Sequence, residues 1–177
     1  AVGDKITAYF LPKGLVNMDL YQRNINVSVH RLDEKQIMLW STMLDLDHSI
    51  RVQLVIDAPS RQIVAASGEM LKVPFDICHR TLQNLEHLKG LTVERGIARR
   101  VSATIGKSTG CVHLVEIVMS AVRLAFPFLI GYGSGLMDRQ QLEQLSEEEQ
   151  IQLGKIFMAD TCLAYKTDVE TQEEQEL

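Results

Sequence analysis

The chain has 177 residues, of which 46% are hydrophobic and 23% charged, enough apolar content to bury one core without staples. Its net charge of −5 resides in the final stretch Asp168–Leu177, which holds five acids and no base. The remainder is neutral and offers no broadly basic face, which weighs against nucleic-acid binding through phosphate contacts.

The three cysteines, Cys78, Cys111 and Cys162, are too few and too dispersed for a disulfide framework and read as reduced thiols in a cytoplasmic protein. The opening AVGDKITAYF lacks a basic region followed by an apolar run, so no signal peptide is expected. The most apolar span, Val112–Tyr132, carries His113, Glu116 and Arg123 and is interrupted by Pro127; no membrane-spanning helix is expected there.

In chain order, Ala1–Asp19 is loop-rich, punctuated by Pro12, Gly14 and Asn17. From Arg23, Ile25, Val27 and Val29 alternate with polar residues, which predicts a strand with one wet face. Gln36–Asp45 is a second strand, with Trp40 half-buried, and Asp47-His48-Ser49 breaks the run. Ile50, Val52, Leu54 and Ile56 mark a third strand. After a turn at Ala58–Arg61, Gln62–Ser67 forms a fourth, with an extension past Gly68 toward Val73 in view. Short strands joined by short turns predict an antiparallel meander of about four strands, one face of which packs on helices from the C-terminal half, an α+β fold.

Pro74 opens a helix on which Phe75, Cys78, Leu82, Leu85 and Leu88 recur, closed by Gly90. A short helix lies between Gly96 and Gly106, and a third runs from about Cys111 to Phe126. Gly131, Gly133 and Gly135 predict a flexible loop, and Gln140–Leu145 has some helical character. Ser146 and Glu149 form a capping box for a last helix ending near Asp160. Residues 1–166 are thus expected to form one domain and residues 167–177 an acidic, disordered tail.

At about 100° per residue, His113, Glu116, Ser120 and Arg123 form one polar stripe on an otherwise apolar helix. That stripe faces either water or a polar pocket. Cys111 and His113 would diverge if both were helical, but can approach each other if Cys111 lies at the helix cap, where free N–H groups favour a thiolate. Gly106-Lys107-Ser108 resembles the end of a phosphate-binding loop, but position 101 is Val101 rather than glycine and no strand leads in. His30, His48 and His87 show no sequence partner and read as surface residues; Asp45, Asp47 and His48 read as a polar turn.

Cys78, Glu94-Arg95-Gly96, Arg99-Arg100-Val101 and above all Gly110-Cys111-Val112-His113-Leu114 with Glu116 resemble the bacterial domain of unknown function 2889 family. A later Asp160-Thr161-Cys162 extends the likeness, so that it covers roughly Arg23 to Tyr165. The chain departs from that pattern at Val112, where the family often has Thr, and at Leu163, where it often has His. The family supplies no reaction. A looser likeness is to U-type iron–sulfur scaffold proteins, which combine a small sheet and helices with dispersed Cys and His; their spacing differs.

The functional expectation is a small cytoplasmic accessory protein in which Cys78, Cys111, His113 and Cys162 converge on zinc or on iron or an iron–sulfur cluster. Asp76, His79 and Glu116 are substitutes for any one ligand. Two alternatives stand beside it. In one, the cysteines are buried structural residues of a binding or assembly subunit, which forms a homodimer or meets a protein partner through Phe126–Ile130. In the other, Cys111 is a nucleophile with His113 or Glu116 as base.

Overall fold

The structure is a computed structural model that describes residues 21–134 and 143–167. Four strands form an antiparallel sheet in the order β1-β2-β3-β4, with β1 at Asn24–Arg31, β2 at Gln36–Leu44, β3 at Ser49–Asp57 and β4 at Gln62–Lys72. This is the expected meander, with β4 extending past Gly68.

Alternation fixes which face is covered. Ile37, Leu39, Ser41 and Met43 of β2, and Ile50, Val52, Leu54 and Ile56 of β3, are all buried on one side. Ile25, Val27 and Val29 of β1 pack on the margin of the same core. On the opposite face Trp40 is half-buried, with the Arg51 guanidinium 5.2 Å from its ring centre and Arg51 paired to Glu69 at 3.3 Å. An open depression of about 250 Å³ lies there, against Trp40, Gln53 and Ser67.

The connection after β4 is a 3-10 helix at Asp76–Leu88, a tighter coil than the α-helix expected. Its sequence explains this: Leu82, Leu85 and Leu88 recur every third residue, the repeat of a 3-10 helix, and so line up on the core side. Leu85 seats against Gly68 of β4, where an added Cβ would come within 2.9 Å of its Cδ1. Helix α1, Ile97–Ile105, buries Ile97, Val101 and Ile105 at four-residue spacing.

Helix α2, Val112–Ser134, lies across β1 and β2. It buries Leu114, Ile117, Val118, Ala121, Val122, Ala125 and Leu129, each Leu or Ile contributing about 2 kcal/mol. It does not stop at Phe126 but passes through Pro127 and takes in Gly131 and Gly133. Buried Ala125 and Leu129 hold it on the core on either side of Pro127. The backbone bond that proline removes falls at Arg123, an exposed residue. The stretch Val112–Leu129 is also long and apolar enough to cross a membrane by length and composition, a test that a core helix passes equally.

Helix α3, Glu147–Met158, opens on the expected capping box of Ser146 and Glu149. Residues 143–145, expected to be helical, form a turn and bend. A short 3-10 turn, Leu163–Tyr165, packs against α3. The loop-rich start, the glycine loop at Gly135 and the acidic tail from residue 168 on fall outside the described residues, whereas Thr167, expected in that tail, bonds to Asp160.

Candidate functional site

The register places several polar residues at one end of the sheet. Asn24 of β1 pairs with Leu44 of β2, Leu44 with Ser49 of β3, and Ser49 with Lys72 of β4. Arg23, the turn Asp45–His48 and the exit of β4 therefore share this end. Helix α2 is pinned above the sheet by buried Ser41, whose hydroxyl donates to the Ile117 carbonyl at 2.8 Å. His113, one turn earlier, and Glu116, just before Ile117, meet His48 and Arg23 at the same end of the sheet.

Asp45 is the centre of the turn. Its carboxylate is inaccessible to solvent. Oδ1 accepts from the backbone N–H groups of Asp47 at 2.9 Å and His48 at 2.8 Å, and lies 2.9 Å from His48 Nδ1. Oδ2 accepts from Arg23 Nε at 2.8 Å. Burial alone would raise the Asp45 pKa. The hydrogen bonds from His48, the Asp47 backbone, Arg23 and Tyr21 outweigh it and hold the carboxyl well below the usual range. An ionised carboxylate oxygen against Nδ1 makes that nitrogen the donor and leaves Nε2 as the ring nitrogen that Asp45 does not engage.

His48 is thus a buried residue, 6% exposed, and not the surface histidine expected. Its ring lies against that of His113, with centroids 4.0 Å apart and planes tilted by 49°. Burial lowers the His113 pKa. His48 and Arg23 push in the same direction, against Asp45 and Glu116, and the ring is held neutral at neutral pH. Arg23 bridges the two carboxylates, with Nη1 donating to Glu116 Oε2 at 2.9 Å.

Cys111 precedes the first residue of α2, and its carbonyl accepts from the Val115 N–H at 3.1 Å. It therefore occupies the cap position that allows it to approach His113: Cys111 Sγ lies 4.0 Å from His113 Nδ1. Gly110 makes this possible. A Cβ there would fall 2.0 Å from the Ile105 carbonyl oxygen, so a side chain would force the loop off α1.

Of the four residues expected to converge, Cys111 and His113 are together. Cys78 is half-buried on the 3-10 helix that follows β4, the edge strand on the far side of the sheet from β1, and its carbonyl accepts from the Thr81 hydroxyl. Asp76 and His79 beside it are exposed. Cys162 is exposed at the start of the turn that packs on α3. Among the described residues no three His, Cys, Asp or Glu side chains form a group able to hold a metal ion. Arg23 was missed from sequence, and Asp45 and His48 were read only as a polar turn, which they do form. The spacing Asp45-x-x-His48 was the one available signal, since an Asp can accept from the backbone at the end of its own turn.

Residues 16–126 match the model of the family described as a protein of unknown function, DUF2889. The chain belongs to that family. The match contains Arg23, Asp45, His48, Cys78, Cys111, His113 and Glu116, and ends before Cys162. No curated protein and no solved structure matches the chain.

Proposed function

We propose that this DUF2889 chain is a small cytoplasmic metal-binding accessory protein, with zinc or iron held at the sheet end by Cys111, His113 and His48. One observation carries the reading: Cys111 Sγ stands 4.0 Å from His113 Nδ1, beside a second imidazole whose tautomer is set by a buried carboxylate. Sulfur and nitrogen bound to one tetrahedral zinc lie roughly 3.5 Å apart, so half an ångström of side-chain motion brings the pair to ligand spacing. A carboxylate on the far nitrogen of a ligating histidine is the usual outer support of such sites. The neutral state of His113 is the form that binds metal.

Cys78, inside the family match, is the second thiol this reading would recruit. Cys162 is exposed and lies beyond the family match, and this reading does not require it. A bound zinc would supply a cross-link between α2 and the β2–β3 turn, and Lewis acidity if a position stays open. Three free thiols support a reducing compartment.

Cobalt titration of the full chain tests this. Cys111→Ser is expected to abolish the thiolate-to-cobalt charge-transfer band and to lower affinity at least about tenfold. An unchanged spectrum in that variant would remove Cys111 from the site. The same 4.0 Å contact also favours the second reading, in which Cys111 is a nucleophile and His113 accepts its proton. Selective alkylation of Cys111 in metal-free protein, faster than in an unfolded control, would favour that reading.

A further inference from the structure

We propose that Glu116 is a further ligand of this site, held in reserve by Arg23; this inference rests on the metal reading above. Glu116 stands one helical turn after His113, on the same face of α2. The two carboxylates on Arg23 differ in freedom. Asp45 is inaccessible to solvent and bonded through both oxygens to its own turn and to Arg23, so it positions His48 and cannot turn toward a cation. The Glu116 side chain is 40% exposed and is held by the Arg23 contact to Oε2. It can leave that contact without disturbing the core.

Charge supports the same assignment. Asp45, Glu116 and Arg23 sum to one negative charge beside two imidazoles, and Cys111 adds a second when a bound metal displaces its proton. A divalent cation is then matched while Arg23 stays in place. Arg23 also competes with the cation for Glu116, because a guanidinium and a metal ion seek the same oxygens. The arrangement lowers affinity on purpose of geometry alone: the carboxylate is present, adjacent and already engaged.

The test is a chelator-competition titration of Co²⁺ into the metal-free full chain and three variants. Glu116→Gln keeps a hydrogen-bond acceptor for Arg23 and leaves the Arg23–Asp45 pair intact, so it isolates ligation from folding. It is expected to weaken binding about tenfold. Arg23→Gln is expected to tighten binding about tenfold by releasing Glu116, and Arg23→Gln/Glu116→Gln to lose that gain. Wild-type affinity in Glu116→Gln would overturn the proposal, even if Arg23→Gln fails to fold. So would a double variant that keeps the gain. A wild-type chain that takes up no cobalt at all overturns the metal reading itself, and this inference with it.

Discussion

Asp45 and His113 both contribute to the acid response of this protein. The folded-state pKa of His113 lies below the ordinary imidazole value of about 6.5. Below that pH the unfolded chain binds a proton that the folded chain does not, so stability falls as pH falls through about 6.5. Asp45 is also depressed. Its contribution is complete above about 3.9 and is lost below it, as the carboxyl is forced to protonate. Urea midpoints of metal-free protein are therefore expected to decline in two stages, one between neutrality and pH 5 and another below pH 4. His113→Asn should flatten the first stage and leave the second. An unaltered first stage in that variant would show that His113 does not drive it. Neither residue's surroundings were legible in sequence. His48 meets His113, and Arg23 meets Glu116, across stretches of chain that no local pattern connects.

At the scale of the element, the strands were legible because one-sided burial imposes a period of two. Ile50, Val52, Leu54 and Ile56 announce β3 without help from the rest of the chain. The polar stripe of α2 was legible too, but not what it faces. His113 and Glu116 turn to the sheet end, while Arg123 is exposed and the Ser120 hydroxyl bonds back to the Glu116 carbonyl. The end of α2 was misread because Pro127 is a strong local stop signal, whereas burial of Ala125 and Leu129 is a tertiary effect that overrides it. The loop before α2 carries its own prediction. Gly110→Ala forces contact with the Ile105 carbonyl and should cost about 2 kcal/mol. Because it moves Cys111 relative to His113, it should also lower cobalt affinity. A variant as stable as wild type by urea denaturation would mean that the loop yields without cost.

For the whole molecule, the sheet acts as a ruler. Its register brings Arg23, the Asp45–His48 turn and the exit toward Cys78 to one end, and Ser41 fixes α2 so that Cys111 and His113 arrive there. Sequence reading anticipated the approach of Cys111 to His113 and missed the contacts among His48, Asp45 and Arg23, because those exist only once the strands are in register. It also included Cys162, whose place on the turn beside α3 is set by a part of the chain beyond the family match. The central claim is that Cys111, His113 and His48 together hold a metal ion. Elemental analysis of anaerobically purified protein, with an absorbance spectrum of the same sample, tests it most directly. The account predicts about one zinc or iron per chain, with the spectrum separating zinc from iron or a cluster. Folded protein that carries no metal and takes up none on reconstitution would contradict it.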